Sequence, residues 1–165
     1  MRHYGPRRVL RSLTTIACNK EEMYGDLQFT NVGTGNKFKG RTKVYCFNAH
    51  EDVYPVDFIV GFCGVASDIV TAISYFSSPE NYKRPPRIKG LSGLVLTAQK
   101  NIFMFDDYTK WLAVNGPYHA VGSGSAYAIG AMSLGASPEE AVRAAMKHDA
   151  YTGLGVKGFN IKTFN

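Results

Sequence analysis

The chain has 165 residues, with 19 Lys or Arg against 13 Asp or Glu and a formal net charge of +6. That length fits one domain able to bury roughly 70% of the surface its unfolded form would expose. With 45% hydrophobic and 19% charged residues, and no run near the ~20 apolar residues of a membrane helix, the composition is globular and no membrane partner is expected. The basic balance invites nucleic-acid binding, but Arg2, Arg7, Arg8 and Arg11 concentrate it at the start. No helix-turn-helix, zinc-finger or aromatic RNA-binding signature accompanies it, so nucleic acid is not the expected partner. The basic N-terminus lacks an apolar signal core, which makes the cytoplasm the expected location. Cys18, Cys46 and Cys63 are odd in number and widely spaced, a pattern of buried free thiols rather than a disulfide framework. None of them stands at metal-ligand spacing from His3, His50, His119 or His148, and neither metal nor cofactor is expected.

From Thr14 onward the chain is rich in short strands. Thr14–Cys18 and Met23–Phe29 flank the polar Asn19-Lys20-Glu21-Glu22 and read as a tight hairpin. Residues 31–37 are a glycine-rich loop without the Gly-Lys-Ser/Thr order of a phosphate cradle. Strands follow at Lys43–Phe47 and at the continuous apolar run Phe58–Gly64, the latter buried on both faces. Val65, Ile69, Ile73 and Phe76 then recur at helical spacing up to Ser77-Ser78-Pro79. Residues 79–89 read as a solvated loop, Gly93–Thr97 and Ile102–Phe105 as strands around Gln99-Lys100-Asn101, and Tyr118–Val121 as a further strand. Ser125–Leu134 is a helix of small residues ended by Gly135. Ser137, Pro138 and Glu140 open a third helix with a capping box, which runs to about Asp149. Tyr151–Lys162 returns to strand. Strands and helices are segregated rather than alternating, which predicts an antiparallel α+β domain.

Several short motifs fall in a telling order: Thr14-Thr15-Ile16-Ala17, Gly25-Asp26, Lys43 after Lys39-Gly40, Gly61-Phe62-Cys63-Gly64, Gly122-Ser123-Gly124-Ser125, and Lys147-His148-Asp149-Ala150-Tyr151-Thr152-Gly153. Together they resemble the active-site frame of proteasome β-subunits and HslV-type N-terminal-nucleophile hydrolases, over nearly the whole chain from Thr14 to about Asn160. The resemblance implies a four-layer αββα sandwich, with residues 1–13 as a basic propeptide or extension and 14–165 as the hydrolase domain. It also implies that Thr14, once first in the chain, is nucleophile and through its α-amine base, since an alcohol needs a base with a pKa near the working pH.

By the same resemblance Lys43 lowers the pKa of the threonine and its amine, and Asp26 holds the lysine charged and oriented. Ser123 hydrogen-bonds the threonine amine, with Asp149 and Thr152 as its aspartate and serine partners, threonine here replacing the family's last serine. Gly64 supplies an oxyanion N–H, and Phe62 and Ala66 flank the pocket for an apolar substrate side chain. Expected partners are copies of itself in a ring, a peptide or unfolded protein substrate, and an ATPase unfoldase. Leu13 rather than glycine precedes Thr14, and the interval from Thr14 to Asp26 is short, in the style of proteasome-like proteins encoded by phages. A second reading follows: a non-catalytic virion or assembly protein that keeps the fold and an uncleaved N-terminus.

Overall fold

The structure, a computed structural model, describes residues 10–50, 53–108 and 110–164. The first nine residues of the expected extension lie outside the described residues. The chain opens with β1 (Leu10–Ser12), β2 (Thr15–Asn19), β3 (Glu22–Asp26), β4 (Gln28–Asn31), β5 (Lys37–Lys39), β6 (Val44–Phe47) and β7 (Phe58–Val65). Helix α1 (Ala66–Ser77) leads through a single 3-10 turn to β8 (Arg87–Thr97), β9 (Ile102–Tyr108), β10 (Leu112–Ala113) and β11 (Tyr118–Gly122). Helices α2 (Ser125–Ser133) and α3 (Pro138–His148), then β12 (Val156–Asn160), close the fold.

The strands form two sheets. An eight-stranded sheet runs β10-β9-β8-β7-β1-β4-β5 with β6 also paired to β7, and a four-stranded sheet runs β11-β2-β3-β12. Every pairing is antiparallel. Side-chain alternation of period two decides what each face meets. Phe58, Val60 and Phe62 of β7 pack with Ile69, Phe76 and other α1 residues, while Ile59 joins Ile16, Cys18, Met23 and Leu94 between the sheets. Ala17, on the opposite face of β2, meets Ala120, Ala128, Ala141 and Val142 beneath α2 and α3. The layers are therefore α1, large sheet, small sheet, and the α2–α3 pair, the αββα sandwich expected from the resemblance.

The capping box at α3 forms as read: Glu140 N donates to Ser137 Oγ and Ser137 N to Glu140 Oε1, each at 3.2 Å. The first hairpin also forms, its turn held by Asn19 Oδ1 accepting from Glu21 N at 2.8 Å and Glu22 N at 2.9 Å.

Three expectations are corrected. Met23–Phe29 is not one strand, because the chain breaks at Leu27 and passes from the small sheet (β3) to the large one (β4). A run of β-compatible residues carries no mark of a change of sheet. The last strand covers only Val156–Asn160, because residues 150–155 form a turn with Leu154 at φ 61° and Gly155 at φ 115°, and Ile161–Phe164 wind into a 3-10 helix. This turn gives the carbonyls of Gly153 and Gly155 to the Leu27 N–H left unpaired by the break. Finally, residues 79–89 are not all loop: β8 starts at Arg87, with its register shifted between Arg87 and Ser92.

Candidate active site

Two strands on opposite sides of the break at Leu27 and the start of β6 bring the first group together. Lys43 Nζ lies 2.7 Å from Thr14 Oγ1 and 3.1 Å from Asp26 Oδ1, and also donates to the Gln28 carbonyl. Thr14 and Asp26 are fully buried and Lys43 is 1% exposed. Burial of a charge without partners would be prohibitive, so the ion pair and its extra hydrogen bonds are a condition of its existence there. Asp26 Oδ1 accepts from Thr15 N at 3.2 Å, and its Oδ2 accepts from Gly153 N at 3.0 Å and Gln28 N at 3.2 Å. The Lys43 aliphatic stem ends over the Phe29 ring, with Nζ 4.9 Å from the centroid.

Burial pushes the Lys43 ammonium below its ordinary value, and Asp26 is the main influence opposing it. Burial likewise pushes the Asp26 carboxyl up, opposed by Lys43 and by the N–H groups of Gly153 and Thr15. A lysine held this way exchanges its proton nearer to neutrality than a solvated one does.

The second group sits at the end of β11 and the turn after α3. Thr152 Oγ1 donates to Asp149 Oδ2 at 2.6 Å and lies 2.8 Å from Thr15 Oγ1. Ser123 Oγ is 2.6 Å from Asp149 Oδ2 and 2.6 Å from the Leu13 carbonyl oxygen. A hydroxyl has one proton, so Ser123 donates to one of these acceptors at a time. Thr14 is joined to Leu13 here, so the serine meets the peptide bond before Thr14 and not a free amine. Gly122, at φ 100°, makes this approach possible, because a Cβ there would lie 1.9 Å from the Thr14 carbonyl oxygen.

Gly64 has φ 149°, and a Cβ on it would stand 2.7 Å from the Gly90 carbonyl oxygen. It lies opposite Ser12, with Val65 opposite Arg11, so β1 runs beside the end of β7. On its other edge β1 pairs with Thr30 and Asn31 of β4. β6 occupies the earlier half of the same β7 edge, and Phe62 N donates to the Lys43 carbonyl where β6 gives way to β1. Residues 10–13 thus lie between β7 and β4, next to Gly64, Lys43 and Thr14.

Phe62 is fully buried, its ring among Tyr45, Phe76 and Phe105 at centroid distances of 5.9, 5.8 and 6.1 Å. That places it inside the core under α1 and not on an open wall beside the nucleophile. Ala66, half-buried, opens α1.

Sequence reasoning missed three participants. Gln28 supplies a backbone acceptor to Lys43 and a side chain that donates to the Ala150 carbonyl at 2.9 Å. Thr15 ties the two groups of residues together through Asp26 and Thr152. Cys63 neighbours the Thr14 amide: burial raises its thiol, and hydrogen bonds from the Thr14 backbone and Ser92 pull it back. Its position immediately before Gly64 is the only signal that could have marked it.

This architecture is that of the proteasome-type N-terminal-nucleophile hydrolases. HslV from Trypanosoma brucei superposes with a TM-score of 0.66 at 18% identity, covering 88% of this chain and 98% of that one. BPH from Thiobacillus denitrificans, in complex with epoxomicin, gives 0.64 at 18% identity over 89% and 96% of the two chains. Anbu from Hyphomicrobium sp. strain MC1 gives 0.64 at 8% identity over 88% and 81%. By sequence, no protein-family model and no curated protein matches the chain. The likeness is therefore one of fold.

Proposed function

We propose that the protein is a threonine-type peptidase in which Thr14 becomes the nucleophile when residues 1–13 are removed. The observation that carries this reading is the contact of the buried Lys43 ammonium with both Thr14 Oγ1 and Asp26. A structural threonine in a strand has no need of a desolvated lysine, whose burial costs several kcal/mol unless compensated. Once free, the Thr14 amine, with an ordinary pKa of about 7.7–8.0, takes the hydroxyl proton as Oγ1 adds to a substrate carbonyl. The Lys43 charge favours the alkoxide and lowers the amine pKa. Gly64 N–H then stabilises the oxyanion, and the amine returns its proton to the leaving nitrogen. Ser123, Asp149 and Thr152 orient the amine. Substrate enters as an extended strand between β7 and β4, the position β1 holds, with Ala66 near its side chain.

Copies of the chain assembled in a ring are part of this proposal, supported by Val70 on α1 and Tyr127 on α2, 66% and 46% exposed. An unfoldase partner and a cytoplasmic site enter by analogy with the resembled family alone. One observation favours the second reading, a non-catalytic virion or assembly protein: with β1 in place, the groove is filled and the sheet is continuous. Intact-mass measurement of the purified protein with a peptide-cleavage assay separates the two. The peptidase reading expects loss of residues 1–13 and turnover, both abolished by Thr14→Ala. Retention of the segment together with inertness towards peptides would establish the second reading instead.

A further inference from the structure

Side-chain alternation along β7 puts Cys63 on the same face as Ile59, the face turned towards the small sheet. There its sulfur meets the start of β2 and the end of β11. A Cβ built on Gly122 would stand 3.4 Å from Cys63 Sγ and 2.7 Å from the Thr14 carbonyl carbon, so the width of one glycine separates the sulfur from the nucleophile's backbone. The Thr14 backbone N–H donates to the sulfur, and Ser92, the residue opposite Cys63 across the β7–β8 ladder, hydrogen-bonds to it through its side chain.

The nitrogen that touches Cys63 is the one that would become the α-amine. Thr14 is fixed through other atoms, its Oγ1 by Lys43 Nζ at 2.7 Å and the amide that follows it by Asp26 at 3.2 Å. Nothing in that anchorage leaves with Leu13. Ser123 Oγ, by contrast, bonds carbonyl oxygens, that of Leu13 at 2.6 Å and that of Thr14 at 3.4 Å. An amine acts as a base only through its lone pair, which has to face Oγ1, so its two N–H groups need acceptors elsewhere. Cys63 Sγ already serves as one.

We propose that Cys63 is a positioning residue for the Thr14 amine, its sulfur accepting one N–H so that the nitrogen lone pair is turned towards Oγ1. The inference deepens the peptidase reading and rests on it. Sulfur is a weak acceptor, and an acceptor stabilises an ammonium more than a neutral amine. A sulfur therefore orients the amine while raising its basicity less than an oxygen would. Among the described residues, the charged groups around this nitrogen are Lys43 before β6, Asp26 at the end of β3 and Asp149 after α3. All three stay in place when position 63 alone is changed.

The full-length chain and its Cys63→Ala and Cys63→Ser variants are expressed, checked for loss of residues 1–13 by intact mass, and assayed on a fluorogenic peptide across pH. Cys63→Ala removes the acceptor. Its kcat should fall about tenfold with KM within about twofold, the value of one hydrogen bond made to the reacting groups and not to substrate. The acid limb of kcat/KM, which reports the base, should move to lower pH because the ammonium loses a partner. Cys63→Ser puts an oxygen in the sulfur's place. It should recover most of the kcat lost in Cys63→Ala and move the acid limb the other way, to higher pH by about half a unit. It also carries the test alone if Cys63→Ala does not fold. A residue that only fills space would not move the limb in opposite directions. An unmoved limb, a shift of the same sign in both variants, or wild-type kcat in Cys63→Ala would overturn the proposal and leave the peptidase reading standing. A folded variant that keeps residues 1–13 would overturn it as well, by placing Cys63 in trimming instead of turnover. An inert, untrimmed wild type would remove the peptidase reading and this role together.

Discussion

Replacing Lys43 by Met keeps most of the side-chain volume but strands the Asp26 carboxylate in a fully buried position. Breaking a buried ion pair from one side costs about 3–5 kcal/mol. Asp26 retains the N–H groups of Thr15, Gln28 and Gly153, which places the expected loss at the low end, about 3 kcal/mol. In a chain of 165 residues that corresponds to a fall in melting temperature of about 6–12 °C. Urea unfolding followed by Trp111 fluorescence measures it. The double variant Asp26→Asn/Lys43→Met should be less destabilised than the sum of the two single variants by about 2 kcal/mol. The pH dependence has a definite sign. An unpaired Asp26 has a folded pKa raised further above its unfolded value, so the folded state holds the proton more tightly. Stability is then greatest at low pH and is lost as pH rises through the folded pKa. The deficit of Lys43→Met should therefore shrink on acidification towards the ordinary carboxylate range. A loss under about 1 kcal/mol, or strict additivity of the two substitutions, would refute a desolvated and mutually dependent pair.

Gly122→Ala forces a Cβ into the Thr14 carbonyl at a backbone angle of φ 100°, and should cost at least about 3 kcal/mol by chemical denaturation while displacing Thr14. Ser137→Ala removes one half of the α3 capping box, and should cost about 1 kcal/mol in the same assay with no change at Thr14. Burial pushes the Cys18 thiol up to about 12 and Cys46 is only half-buried. Native alkylation at mildly alkaline pH, read by peptide mass spectrometry, should therefore label Cys46 well before Cys18; equal labelling would mean that β2 opens to solvent.

What the sequence made legible follows from how local each signal is. The α3 cap is written in Ser137, Pro138 and Glu140, and α1 in the spacing of Ile69 and Phe76, because those contacts close within a turn or two. Thr14, Asp26, Lys43, Ser123, Asp149 and Thr152 are marked only by their order, which resembles the family's active-site frame. No periodicity brings residue 14 next to residue 43, yet the structure places them 2.7 Å apart. The sheet change at Leu27 was illegible for the opposite reason: both halves are good strand sequence, and the break is compensated by carbonyls more than a hundred residues away. Gln28 escaped notice because it serves Lys43 through its carbonyl oxygen, which every residue type possesses. The resemblance implies a place for Phe62 on the pocket wall, whereas its neighbours under α1 make it core.

The short strand β1 has a consequence for solubility. It is hydrogen-bonded on both sides, to β7 and to β4, so the β4–β5 hairpin joins the rest of its sheet through β1 alone. A chain that loses residues 1–13 exchanges one continuous ladder for two bare edges facing each other across two strand spacings, about 10 Å. Bare edges recruit other strands, including those of neighbouring chains. The gap is one strand wide, so a folded protein cannot enter it and a single extended chain can. Until something occupies it, the gap is open to an extended segment of another chain. A chain shortened to begin at Thr14 should therefore be stickier than the full-length one.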